Sequence, residues 1–257
     1  MKRIILTIFI AVTSFYCTSE AFAVGGISNS KVIVPSTDTV PKSRIEIEPF
    51  ANFLFADDEN NTKTYDLGMR VTYGLLDNVE VGASFFFVTF DDDDIINTDS
   101  NFGNIEPGLK WRIFDQEDYS LTSFSIAYEG GITIPTSGDD EKWAFEPLGL
   151  IITKNINEQL SIDNDVVLRI VEDEIWGIIS NHGIGYYITE WLQPVVEMGY
   201  IYNNIDNQRN EHVLNVTGGF TANLTDYATL IIGVTKDIVS EDTEDTLVIT
   251  TALTLLF

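Results

Sequence analysis

The chain has 257 residues, 44% of them apolar, and a formal charge of −26. A surface this acidic excludes nucleic acid and directly bound anionic lipid as partners by repulsion. No apolar run beyond the start of the chain approaches the ~20 residues of a membrane helix, and the length suits one domain.

Met1 to Ala23 reads as a signal peptide. Lys2 and Arg3 form a positive start, Ile4 to Val12 a short apolar run, and Ala21-Phe22-Ala23 a small-x-small cleavage site. Cleavage after Ala23 leaves Val24 as the mature N-terminus. Without Lys2, Arg3 and Glu20 the balance is 12 basic against 39 acidic residues, or −27. Cys17 invites a lipoprotein reading, but Ser14-Phe15-Tyr16 before it lacks the small residues of such a site. If Cys17 leaves with the signal, the mature chain has no cysteine and no disulfide framework. Residues 24–43 then form a polar lead, and 44–257 the folded domain.

From Arg44 the chain falls into alternating segments of strand length separated by turn chemistry. Arg44–Phe55 sets Ile45, Ile47, Phe53 and Phe55 against Glu46, Glu48 and Asn52. Thr62–Gly74 sets Tyr65, Leu67, Met69, Val71 and Tyr73 against Thr64, Asp66, Arg70 and Thr72. Val79–Phe90 opposes Val79, Val81, Phe85 and Phe87 to Glu80 and Ser84. Phe102–Phe114 opposes Ile105, Leu109, Trp111 and Ile113 to Glu106, Lys110 and Arg112. In Tyr119–Ile134 the polar face is Ser123, Ser125 and Glu129. Trp143–Thr153 is ambiguous in phase. Gln159–Val171 sets Leu160, Ile162, Val166, Leu168 and Ile170 against Ser161, Asp163, Asp165 and Arg169. Ile175–Ile188 is glycine-rich and poorly phased. Trp191–Asn203, His212–Ala222, Tyr227–Ile238 and Asp245–Phe257 complete about twelve segments.

The last is the most informative. DTLVITTALTLLF puts Leu247, Ile249, Thr251, Leu253, Leu255 and Phe257 on one face, with Val248, Thr250, Ala252 and Thr254 behind. One apolar face over about the length of a tilted membrane-crossing strand suits a transmembrane barrel. The terminal Phe257 resembles the signal by which Gram-negative barrels are recognised by the insertion machinery. The last strand of a soluble β protein would show the same alternation, and the connections decide between the two. Those after even-numbered segments are mostly short (LLDN, DQED, KNINE, TE, NLTD). Those after odd ones are generally longer and carry much of the acid (ADDENN, DDDDIINTDS, PTSGDDEK, EDE, NNIDNQRNE, VSEDTE). A soluble sandwich has no reason to sort charge by parity, whereas a barrel with short periplasmic turns and long outer loops does. Aromatics near segment ends, among them Trp111, Trp143, Trp191 and Tyr227, fit interfacial girdles. The expected fold is all-β: a transmembrane antiparallel up-and-down barrel of about twelve strands, in the bacterial outer membrane.

Strand phase sends Glu48, Arg70, Glu106, Lys110, Arg112, Asp163, Asp165 and Arg169 into the lumen. Glu-Pro recurs at Glu48-Pro49, Glu106-Pro107 and Glu146-Pro147, with Gln193-Pro194 as a polar variant. By analogy Glu146 joins the lumen set, although Leu148 and Leu150 then also point inward. Proline cannot donate to a ladder, so each is expected to mark a break or bulge. These residues would form either a selectivity constriction or a paired polar filling that holds the barrel round. In the outer loops, Asp91, Asp92, Asp93 and Asp94, and Asp139 and Asp140, carry the oxygen ligands of hard cations. They lack the spacing of an EF-hand loop, so solvated rims compete with weak Ca²⁺ or Mg²⁺ bridging to lipopolysaccharide phosphates. No metal site or cofactor is expected. The only histidines are His182 and His212. Ser180-x-His182 places a hydroxyl and an imidazole on one strand face. That is the reverse of the His-x-Ser order of the outer-membrane phospholipase, another twelve-stranded barrel.

An exported barrel of this size, with Glu-Pro strands and the run IEPGLKWRIF, resembles the outer-membrane β-barrel family of the MetA pathway of phenol degradation. The resemblance spans about Val40 to Phe257 and implies a transporter linked to uptake of hydrophobic or aromatic compounds. It carries no catalytic motif onto this chain. The expectation is a monomeric, non-enzymatic passive channel for small solutes, embedded in outer-membrane lipid and lipopolysaccharide. The alternatives are a non-transporting surface barrel with acidic outer loops and, more remotely, a lipid hydrolase.

Overall fold

The computed structural model describes residues 24–57, 63–91, 103–136, 142–172, 175–205, 210–241 and 243–257. Residues 1–23, read above as a signal peptide, and the acidic loop residues Asp92, Asp93, Asp94, Asp139 and Asp140 lie outside them. Asp91 is described only as the backbone end of a strand.

Among the described residues there are twelve strands: β1 (Ile45–Ala56), β2 (Lys63–Leu76), β3 (Val79–Asp91), β4 (Ile105–Phe114), β5 (Ser125–Thr133) and β6 (Ala144–Asn155) make one half. The other half is β7 (Leu160–Val171), β8 (Ile175–Tyr186), β9 (Leu192–Ile205), β10 (Glu211–Thr225), β11 (Ala228–Glu241) and β12 (Thr246–Leu256). Each pairs antiparallel with its sequence neighbours, and β12 pairs with β1, so the barrel is closed and has no free edge. Closure satisfies the ladder groups that a bilayer cannot. Among the described residues no helix is long and apolar enough to cross a membrane.

Period two sorts the side chains as the alternation predicts. On β12, Val248, Thr250 and Ala252 are buried inside, and Phe257 is exposed at its end. Leu148, Leu150, Val166, Ile170, Ile184, Val196 and Val234 are exposed on the outside. Such an apolar outer face belongs in hydrocarbon. Trp176 and Tyr186 on β8, with Trp143, Trp191 and Tyr227, stand exposed at or next to strand ends, and Trp111 is exposed three residues before the end of β4.

Three expectations change. The β4–β5 connection runs from 115 to 124, longer than the alternation suggests, because Tyr119–Phe124 is not strand. The prolines mostly leave the register intact. Pro49 faces Met69, Pro107 faces Ala83 and Pro194 faces Phe220, each within an unshifted run. Only Pro147 lies at a shift, between Phe145 and Leu148 on β6. That shift resolves the ambiguous phase. One extra residue lets Glu146 point inward while Leu148 and Leu150 point outward, contrary to the expectation that all three share a face.

Candidate pore lumen and its occupant

The lumen is filled, and what fills it is the lead. Residues 24–40 contribute no strand, yet Val24, Ile27, Val32, Ile33, Val34 and Val40 are all buried. Val24 and Ile27 join a cluster with Ala127, Ile151, Val167, Ile179, Ile201 and Val213, all inward-facing on β5 to β10. Val32 and Ile33 pack against Val195, Ile231 and Ala252 on β9, β11 and β12. Inward apolar residues in a polar lumen would be misplaced without this partner. Each buried Val or Ile contributes about 1.5–3 kcal/mol of burial as an upper bound.

Small residues on the wall make room. A Cβ on Gly219 or Gly233 would come within 2.9 or 2.4 Å of the Val32 methyls. Gly26 has a φ of 78°, and a Cβ there would meet the carbonyls of Glu106 and Gly82 at 2.7 Å. The chain therefore touches the wall at a distance that only glycine tolerates.

Polar groups fasten the segment, chiefly through wall side chains. Glu80 accepts hydrogen bonds from the backbone N–H of Ser28 at 2.7 Å and of Val40 at 2.6 Å, and from the Ser28 hydroxyl. Glu197 accepts from the N–H groups of Ile33 and Val34 at 3.0 and 3.2 Å. Ser84 and Thr153 accept from Gly26 and Thr37 at 3.1 and 2.9 Å. Lys31, 1% exposed, donates to Asp163 and, at 3.0 Å, to Ser161. Lys110 donates to the carbonyls of Ser28 and Ser36 while standing 3.2 Å from Glu80.

Apart from Arg112, the residues that strand phase sent inward do lie inside, but not as a single constriction. Glu48 lies 2.7 Å from Arg70 and also accepts from Thr254, so it is locked in a pair. Glu146 stands 3.8 Å from Arg169. Asp163 holds Lys31, and Asp165 accepts from Asn181 at 3.1 Å. Glu106 lies beside Gly25. Arg112 does not reach the interior. It sits at the short-turn mouth, 3.6 Å from Asp38 and 3.5 Å from Asp115, and donates to the Asp77 carbonyl. Lys31, Glu197 and Thr153 escaped the sequence reading as occupant and fasteners. The signal was present in the Val32-Ile33-Val34 run, out of place in a solvated tail. A small polar pocket of about 140 Å³ remains between lead and wall, bordered by Lys31, Ser36, Asn155, Ser161 and Gln193.

Phe257 closes the ladder at the short-turn end, exchanging backbone hydrogen bonds with Ile45 at 2.8 and 3.1 Å. On the outer wall, Ser180 Oγ lies 3.2 Å from His182 Nε2, and His182 Nδ1 lies 2.8 Å from Asn164 Oδ1 on the neighbouring strand. Asn164 is a third member that the sequence did not supply. His212 is also on the outside, with Nδ1 2.9 Å from the Tyr200 hydroxyl.

No family model matches the chain, and no curated protein matches it. Solved structures do. The COG4313 outer membrane channel from Pseudomonas putida F1 superposes with a TM-score of 0.65 at 12% identity, covering 86% of this chain and 98% of that one. The KdgM porin in complex with disordered oligogalacturonate gives 0.55 at 9% identity, covering 82% and 98%. The NanC porin gives 0.52 at 8% identity, covering 80% and 98%. At such identities the likeness is one of fold, and the resemblance to the phenol-pathway family gains no support beyond it. With the apolar outer belt, that fold makes the protein an outer-membrane β-barrel.

Proposed function

We propose that the protein is a passive outer-membrane channel for small cationic or neutral solutes, occupied at rest by its own N-terminal lead. The observation that carries this is the separateness of occupant and wall. The barrel closes its ladder without residues 24–40, and the lead is held by side-chain hydrogen bonds and packing that can be exchanged for solute or water. With the lead displaced, inward carboxylates such as Glu106, Glu129, Asp163, Asp165 and Glu197 would line the interior. An acidic lumen with a low-dielectric wall attracts cations. Short turns face the periplasm in barrels of this kind, so the mouth at which the lead joins β1, beside Asp77 and Arg112, is read as periplasmic, with the lead running inward from there. The aromatic or hydrophobic solutes implied by the sequence resemblance are a narrower possibility, to which the inward pair Phe50 and Phe86, 5.4 Å apart, would be suited.

Planar-bilayer recording tests the reading. Deleting residues 24–40 while keeping the signal should raise single-channel conductance several-fold and leave a cation preference, lowered by Glu129→Gln. A deletion variant that assembles but conducts no more than the wild type would mean that the barrel is a filled scaffold.

A second reading, lipid hydrolysis, has the Ser180–His182–Asn164 relay in its favour, since nucleophile, base and orienting group stand in the required order. Depth opposes it. Ser180 is four residues from Trp176 and His182 four from Tyr186, the aromatic residues near the two ends of β8. That is about 10 Å from either girdle along the membrane normal, far from ester groups and water. Polar side chains in hydrocarbon need partners, and this network supplies them. Phospholipid incubated with the purified protein should yield no fatty acid above that released by His182→Ala; release that depends on His182 would reinstate the hydrolase.

A further inference from the structure

We propose that the barrel carries a binding site for a primary ammonium, and that the ligand is the chain's own processed N-terminus at Val24, held by Glu106 and Glu146. The inference rests on the lead being the lumen occupant and on cleavage after Ala23, and not on conduction.

Val24 is 3% exposed, inside the wall of β4 to β6. A Cβ on Gly131 would stand 2.5 Å from Val24 Cγ1 and 3.2 Å from Glu146 Oε2. One on Gly25 would stand 2.5 Å from Glu106 Oε2. Val24 and Gly25 are therefore flanked by carboxylates from β4 and β6. On β5 between them, Glu129 is fully buried, and neither of its carboxylate oxygens has a hydrogen-bond partner among the described residues.

Of the nearby cations, Lys110, the cross-strand neighbour of Glu129, is engaged with the lead and Glu80, and Arg169 only approaches Glu146. Lys110 is bound to Ser28, Ser36 and Glu80. Arg169 reaches Glu146 at 3.8 Å, and among the described residues neither Glu106 nor Glu129 forms an ion pair. Carboxylates of this depth need a positive neighbour.

Processing supplies one. Hydrolysis of the Ala23–Val24 bond by the export peptidase adds one water, leaving a carboxylate on the departing segment and an α-ammonium on Val24. Before cleavage the same nitrogen is a neutral amide. After it, a cation stands between Glu106 and Glu146, with Glu129 as the third charge in the nest. The Gly25-Gly26 step after it is pressed against Gly82 and Gly108: a Cβ on Gly26 would meet backbone, and one on Gly25 the Glu106 side chain. Docking of the lead is thereby coupled to removal of the signal.

The test uses protein exported with its own signal and purified from outer membranes. Its mass should begin at Val24; any other start overturns the proposal. Reductive methylation with labelled formaldehyde then compares the Val24 amine with Lys42, which is exposed in the same segment. In the folded barrel the Val24 amine should react about tenfold or more slowly, relative to Lys42, than in the urea-unfolded chain, since a tenfold drop in free amine corresponds to one pKa unit. Glu106→Gln with Glu146→Gln should restore most of that reactivity. Equal rates folded and unfolded would overturn the site, and protection that persists in the double variant would overturn the ion pairing. Should the double variant fail to assemble, one alanine inserted between Ala23 and Val24 moves the ammonium out of place. The new terminal amine should then react as in the unfolded chain, and its protection would also overturn the proposal. Loss of conductance bears on the channel reading alone and leaves the labelling result intact.

Discussion

At the scale of single residues, the lumen divides into charges that hold the wall and charges that hold the lead. Glu48 and Arg70 join β1 to β2 and belong to the first kind. Lys31, Glu80 and Glu197 belong to the second. Neutralising Glu48 would strand Arg70 and strain the wall, which makes it a poor probe of solute selectivity. Lys31 is the better residue to change. Lys31→Ala leaves Asp163 without its cation, and breaking a buried pair costs about 3–5 kcal/mol. The loss should fall on docking of the lead, because the wall ladder is untouched. A single cysteine at Thr37, 1% exposed in the wild type, should then react with a maleimide at least tenfold faster in the Lys31→Ala background. An unchanged rate would show that apolar packing alone retains the segment.

Among the elements, β6 is the most instructive. Its register shift at Pro147 reverses the phase between Glu146 and Leu148, so both halves of the strand present the correct face. Deleting Pro147 would remove the extra residue. Strict alternation would then keep Glu146 inward and Leu148 and Leu150 outward with no shift at all. The deletion variant should therefore retain the heat-modifiable folded band in cold SDS gels, as should Pro147→Ala, and loss of the band on deletion would show that the bulge itself is required and not only the phase that it corrects. The other strand prolines lie in unshifted runs, and alanine in their place should be tolerated.

For the whole molecule, orientation follows from where the connections fall. Glu158 and Asp226 lie in short turns, while Glu172 and Asn210 lie in the opposite set of loops. Single cysteines at Glu172 and Asn210 should label from outside intact cells with an impermeant reagent, and those at Glu158 and Asp226 should not. The reverse pattern would put the mouth at which the lead joins β1 at the cell exterior.

The sequence alone determined the barrel. Alternation in Thr62–Gly74 and Asp245–Phe257 and the inward phase of Glu48, Arg70, Lys110 and Asp163 are local properties of a period-two chain, and the fold preserves them, whereas the parity of connection lengths is broken at 115–124 between β4 and β5. It could not place residues 24–40. That segment has no period to read, and its apolar residues become meaningful only against Ile151, Ile201 or Ile231, which lie far away in the chain. Nor could it settle Glu146, because a bulge is defined by the partner strand and not by the strand that carries it. Asn164 joined Ser180 and His182 for the same reason, since the β7–β8 register decides who stands beside whom. Patterning is written one strand at a time, whereas occupancy of the lumen is a contact between the two halves of the chain that only closure brings together.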